Sequence, residues 1–306
     1  MGFLKVRKPK AILFDMCATM TKSHFMDHIL FPYFKECAKQ FLEVYWKNEV
    51  VQEDVKRLRE QSKRDDGPVI VPDEDGEESV RNSVIKYVDV CMSSVPKRES
   101  DALSVFRFHV LFEGYSRNRL ITPVYSDVAF QVRHWVADLK IKLYIFSNCW
   151  TEASKRFLSH TNHGNMNLLI EDHFDNSIGS LDKPETHTKV TKILNFPTED
   201  VLFLTHSVKE ALASKKAGLS VILVATHRRD MMLIPEEEKS LPSVRSFNEL
   251  AFTSDALPAS QLPPGSSATT DDDNKSTKSD LSTKSSSKSS MQKQNSKTKK
   301  SKKTKK

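Results

Sequence analysis

The sequence is poor in the features that mark secreted, membrane-spanning or metal-knotted chains. Its four cysteines (Cys17, Cys37, Cys91 and Cys149) are scattered, with no CxxC spacing. That argues against a disulfide framework or a structural zinc knot and suits a reducing cytosol. No run of 18 apolar residues occurs, so no membrane-spanning helix is expected. The opening stretch MGFLKVRKPKAILFD lacks a long apolar segment leading to a small-residue cleavage site, and no secretory leader is expected. Met1-Gly2 begins a myristoylation signal, but Val6 stands where that signal needs Ser or Thr. Apolar content, 38%, is low for a fully globular chain of 306 residues, so part of it is expected to stay unfolded.

Charge locates that part. Residues 266–306 carry 12 Lys and 4 Asp, a net of +8, against +7 for the whole chain, which leaves the preceding residues at −1. The basic character therefore belongs to a tail, and the nearly neutral body gives no electrostatic reason to expect nucleic-acid binding. From 253 to 306 the sequence is dominated by Ser, Thr, Lys, Asp and Pro. It cannot bury enough apolar surface to offset the entropy of ordering, and a disordered tail is expected. Its lysines suit contact with an acidic surface, or nuclear targeting through KTKKSKKTKK. Phosphorylation of its Ser and Thr residues would lower the charge and weaken such contacts.

What remains is organised by short apolar runs. Residues 11–14, 143–146, 201–204 and 221–224 are four-residue stretches rich in Ile, Leu, Val and Phe, too uniform to be half-exposed, and they read as parallel strands buried on both faces. After the run at 201–204, Ala211, Leu212 and Ala217 recur at helical spacing and stop at Gly218, which makes a strand–helix–strand unit. Between the first two runs lies an insert of about 120 residues, far longer than a strand–helix connection requires. It reads as helical: Leu30, Tyr33, Phe34, Cys37, Phe41, Val44 and Tyr45 fall at helical intervals, with Pro32 near the start, and further helices are expected over 78–91 and 99–112. The expected fold is α/β, a doubly wound, mostly parallel sheet. The core is assigned to residues 1–21 and 123–252, the helical cap inserted after the first strand to 22–122, and the tail to 253–306.

In doubly wound sheets, ligands bind beyond the carboxyl ends of the strands. Asp15 follows the first run, Ser147-Asn148 the second, and Thr205-His206-Ser207 the run at 201–204, while Lys183 stands before Pro184 at a helix start. An Asp nucleophile, a hydroxyl, a Lys and a further acid around Mg²⁺ are the working parts of an aspartate-based phosphatase. Asp15, Cys17 and His206 are, as residue types, also compatible with zinc.

LFD at Asp15, FMDHILFPY, VYSDV, YIFSN, HFDNSIG and VLFLT resemble the acireductone synthase (enolase-phosphatase) branch of the haloacid dehalogenase superfamily, over roughly residues 10–250. The resemblance implies a helical cap, Mg²⁺, and a small phosphorylated substrate of methionine salvage, a diketo phosphate that is enolised and then hydrolysed. It puts Asp15 at the nucleophile and metal-ligand position and Ser147 and Asn148 on the phosphate. Thr19 matches the family's threonine after the first motif, and Glu210 lies where the family also carries an acid. Four positions depart from the pattern: Cys17 replaces a Glu that would act as acid/base, Ala18 a Gly, His206 a metal-binding Asp, and Leu181 the Lys, which arrives two residues late as Lys183. Three readings follow. One is a phosphatase relative with impaired or lost Mg²⁺ chemistry that still binds phosphate or a partner. A second is a working Mg²⁺ phosphatase in which Glu210, Asp200 or water replaces the missing ligand. The third is an interaction protein localised by its tail. A cytoplasmic location, with a nuclear one as the further option, goes with all three.

Overall fold

The structure, a computed structural model, describes residues 2–225 and 240–268. The remaining residues, which include most of the expected tail and the THRRDMM stretch, lie outside the described residues.

Six parallel strands form the central sheet: β2 (Ala11–Phe14), β3 (Lys142–Phe146), β4 (Asp172–Phe174), β5 (Val201–Thr205), β6 (Ser220–Val224) and β7 (Ser243–Val244), in the spatial order β4-β3-β2-β5-β6-β7. Each of the four expected runs is one of these strands. A separate parallel pair joins β1 (Leu4–Arg7) to β8 (Leu250–Thr253). β2 lies between β3 and β5, with Phe14 level with Ile145 on one side and Leu204 on the other. All four β2 side chains are buried, and they alternate between two cores as a strand's twofold side-chain period requires. Ile12 and Phe14 belong to one core, Ala11 and Leu13 to the other. Phe14 packs against Trp135 and Phe247 in a three-ring cluster, at ring distances of 6.4 and 5.9 Å. Trp135 comes from α5 (Ser126–Ala137), which covers that face with α6 (Thr151–Ser159), while α7 (Pro184–Leu194) and α8 (Val208–Lys216) cover the other. α8 ends before Gly218, whose φ of +91° supplies the left-handed turn expected there.

The insert after β2 is helical: α1 (Phe31–Tyr45), α2 (Glu49–Ser62), α3 (Glu77–Ser93) and α4 (Asp101–Ser116). Asn48 and Ser100 cap α2 and α4 by accepting hydrogen bonds from Val50 N and Leu103 N. The apolar stripe of α1 differs from the one expected. Phe34, Ala38, Phe41 and Leu42 are buried, while Val44 is 57% exposed. The buried row follows one face, toward α3 and α4. The insert is anchored to the sheet layer through Phe157 of α6, whose ring meets Phe25, Phe108 and Tyr115. Among the described residues no helix is long and apolar enough to cross a membrane.

Composition puts the end of the folded body at Phe252, and the described residues beyond it, to 268, are tied to the core. Arg7 N donates to Leu257 O and Ser243 N to Ser266 O, and Ala259 is buried. Composition hides this segment because hydrogen bonds and isolated apolar contacts such as that of Ala259, not an unbroken apolar run, hold it. A chain ending at Phe252 is therefore expected to be less stable than one ending at Ala268, by about 2 kcal/mol for a few net hydrogen bonds. Denaturant unfolding of both chains measures the difference, and equal midpoints would show that the segment contributes nothing.

Candidate active site

The strand order places the carboxyl ends of β2, β3 and β5 side by side where the sheet's connections reverse direction, which is where such sheets bind ligands. A cavity of about 660 Å³ opens there. It is lined from the sheet side by Asp15, Cys17, Ser147, Asn148, Asp175, His206 and Glu210, and from the insert by Asp101, Ser104, Arg107 and Phe108. Six residues singled out in the sequence, Asp15, Cys17, Ser147, Asn148, His206 and Glu210, thus meet in one place. Two others do not. Lys183 is exposed at the start of α7 and is not among the lining residues, while Leu181, at the family's lysine position, is buried in the second core. Asp200 sits at the opposite, amino end of β5, where Arg7 and Lys10 pair with it. It cannot replace a ligand at the carboxyl end.

Asp15 is buried, and its main-chain N donates to Leu204 O, which fixes it at the end of β2. Its Oδ2 accepts from Thr19 Oγ1 at 3.4 Å and lies 3.0 Å from His206 Nδ1. Thr19 Oγ1 in turn accepts from His206 N at 2.9 Å, so one hydroxyl ties the loops after β2 and β5 together. Glu210, on the first turn of α8, accepts from Thr205 Oγ1 at 2.9 Å and from Asn148 Nδ2 at 3.3 Å. Burial, reinforced by the neighbouring charge of Asp15, raises its pKa to about 7 despite these bonds. Burial, then Asp15 and Glu210, pushes the Cys17 thiol up to about 12, so it is neither a thiolate nor an acid of useful strength at neutral pH. Ser147 Oγ accepts from Cys149 N at 3.1 Å and is held as a local cap.

Sequence reasoning missed Asp175 and Arg107. Both Asp175 oxygens accept hydrogen bonds, from Thr151 N and Oγ1 and from Ser177 N. Although burial raises its pKa, the bonds from Ser177 and Thr151 outweigh that and leave it at about 2. It follows β4 as Asp15 follows β2, but a three-residue strand gives too short an apolar run to notice. Arg107 lies within the apolar stretch of α4, and only the packing of α4 over the sheet reveals it.

Magnesium prefers carboxylate and water oxygens. The residues nearest Asp15 fit it poorly: His206 brings nitrogen against Asp15 Oδ2 and Cys17 stays a neutral thiol, which leaves Asp175 as the other ionised carboxylate on the sheet side of the cavity. Among the described residues no group of three or more His, Cys, Asp or Glu side chains is placed to hold a metal ion. Asp15, Cys17 and His206 do not form such a group.

Two further histidines are structural. His187 is buried between Phe146 and Phe203, with Nε2 2.7 Å from Leu181 O. His173 is buried, with its ring nitrogens 2.7 Å from Ser154 Oγ and 2.8 Å from Asn167 Oδ1.

The sheet order, the helical insert after the first central strand and an aspartate at the switch point define a haloacid dehalogenase-like fold. The UTR4 protein of Saccharomyces cerevisiae shares it with a TM-score of 0.56 at 18% identity, over 71% of this chain and 90% of its own. CbbY of Rhodobacter sphaeroides shares it at 0.50 and 12% identity, over 81% and 99%. No family model matches the chain. Enolase-phosphatase E1 of Xenopus tropicalis, however, is 32% identical over 247 residues, 79% of this chain and 95% of the relative. The Naegleria gruberi protein of the same name is 30% identical over 258 residues, 81% and 98% respectively. The chain belongs to the enolase-phosphatase E1 family.

Two measurements check this local physics. Ala18, where the family pattern has glycine, has φ +59° in the turn after Asp15. A Cβ in that region costs about 1 kcal/mol, so Ala18→Gly is expected to stabilise the fold by about that amount in denaturant unfolding. An unchanged midpoint would show an unstrained turn. Burial lowers the pKa of His173 from 6.5 to about 4. The unfolded chain therefore takes up a proton near pH 6.5 while the folded chain refuses it until about 4. Stability held above pH 6.5 falls as the pH drops through that window, by at most about 1.4 kcal/mol per pH unit. His173→Gln should flatten this slope in unfolding curves at pH 7 and 5, and a slope the same as that of the native chain would refute it.

Proposed function

We propose that the chain is an enolase-phosphatase-like protein related to methionine salvage whose Mg²⁺-dependent phosphatase activity is impaired or lost, and which retains the cavity as a binding site for a small phosphorylated ligand. The observation that carries this reading is His206 Nδ1, 3.0 Å from Asp15 Oδ2. An imidazole occupies the place where the resemblance puts a metal-binding carboxylate, directly against the nucleophile position.

Phosphoryl transfer depends on charge stabilisation around an in-line nucleophile. In this site a neutral thiol stands where the acid/base carboxylate belongs, and removal of such a group alone lowers rates by about 10²- to 10⁴-fold. The losses at Cys17 and His206 need not add, because residues that act together fail together. What the site keeps is a ligand-sized cavity with Ser147 and Asn148 at its floor. Glu210, with its pKa near 7, is suited to carrying a proton beside Asp15 and is the feature that favours the competing reading of a working phosphatase.

Phosphate release from the diketo phosphate of methylthiopentane, with Mg²⁺, decides between them. The native chain is expected to fall well below ordinary turnover of about 1–10³ s⁻¹, while Cys17→Glu combined with His206→Asp gains activity. Native turnover in the ordinary range would sink the proposal. Inactivity of both chains would place the defect beyond these two positions, with Leu181 the next to change.

A further inference from the structure

The cavity has an uneven charge inventory. Its sheet-side carboxylates are already engaged: Asp15 by Thr19 and His206, Asp175 by Thr151 and Ser177, and Glu210 by Thr205 and Asn148. Among the described lining residues only one Lys or Arg is present, Arg107. It comes from α4 of the insert, and its side chain is 6% exposed.

Arg107 is not fully used by the protein. One terminal nitrogen donates to both Glu99 oxygens at 3.0 Å, and the other donates to Ser104 Oγ at 3.3 Å. Its Nε is buried without any hydrogen-bond partner. A buried donor left unpaired is costly, and native structures satisfy nearly all of them. Glu99, by contrast, is 44% exposed, so the pair is open to water from the carboxylate side and is weaker than a dry one. Phe31 lies under the guanidinium, 4.9 Å from ring centre to carbon, and holds its plane. A planar guanidinium with a free donor is matched to the oxygens of phosphate, which it binds by paired, charge-assisted hydrogen bonds.

We infer that Arg107 is the specificity-determining cation of this cavity, supplying from the insert the positive charge that holds the ligand's phosphate group, with Glu99 as its competitor in the empty state. The inference rests on the phosphorylated-ligand reading above and adds the residue responsible. It explains how an anion is tolerated in a cavity also lined by Asp15, Asp101 and Asp175, where neither Lys183 nor Leu181 supplies a charge.

Calorimetric titration of inorganic phosphate into the full chain, in buffer treated with a metal chelator and again with Mg²⁺, tests it. Native chain should bind in chelator. Arg107→Lys, which keeps the charge but loses the paired donors, should bind about tenfold more weakly, and Arg107→Ala should lose measurable binding. Glu99→Gln should bind about threefold more tightly, a gain that damage to the fold cannot mimic. If Arg107→Ala fails to fold, Arg107→Lys and Glu99→Gln carry the test. Unchanged affinity in these variants beside a native chain that binds would overturn the role of Arg107 and leave the phosphorylated-ligand reading standing. No binding by the native chain in either buffer would overturn that reading, and this inference with it.

Discussion

Burial of β2 on both faces is the constraint from which the site follows. Four apolar residues, Ala11 to Phe14, are shared out between two cores and flanked by parallel partners. Fully burying one large apolar side chain contributes about 1.5–3 kcal/mol, so the register of this strand is strongly determined. A slip by one residue would exchange the faces of Phe14 and Leu13 and lose the stack of Phe14 on Trp135 and Phe247. Because the register is fixed, the first polar residue after the strand, Asp15, emerges beside the residues that follow β3 and β5. The chemistry of the site is a consequence of where the apolar run stops.

The same geometry makes the departures from the family pattern consequential. A substitution on a loop far from the switch point would be absorbed by solvent. Cys17 and His206 instead lie within a cavity where burial governs protonation, so the thiol is driven up to about 12 and Glu210 to about 7. Around Asp15 and Glu210 lies a set of mutually satisfied hydrogen bonds: His206 and Thr19 on Asp15, Thr205 and Asn148 on Glu210. Those bonds tie the loops after β2 and β5 together.

The insert contributes more than a cover. α4 brings Arg107, Ser104 and Phe108 over the carboxyl ends of the strands, and the ring contacts of Phe108 with Phe157 and Trp150 bind it to α6. Recognition in the cavity is thereby divided: the sheet supplies acids, hydroxyls and amides, and the insert supplies the guanidinium.

Four apolar runs, the helical character of the insert and the residues just beyond each strand were all legible from the chain alone, because burial on both faces leaves an unbroken apolar stretch and helix amphipathicity leaves a 3.6-residue period. So were the four altered family positions, since they sit inside recognisable blocks. The short strands β1, β4, β7 and β8 were not, because none of them is an unbroken run of four apolar residues, and the described segment from 253 to 268 was hidden by its polar composition. Tertiary structure alone decided which acids are engaged, since hydrogen bonds such as His206 to Asp15 join positions 191 apart. It also decided that Lys183 stays outside the cavity while Arg107 lines it. Whether a charge faces a cavity depends on how one helix packs over a sheet, and no local pattern of residues encodes that.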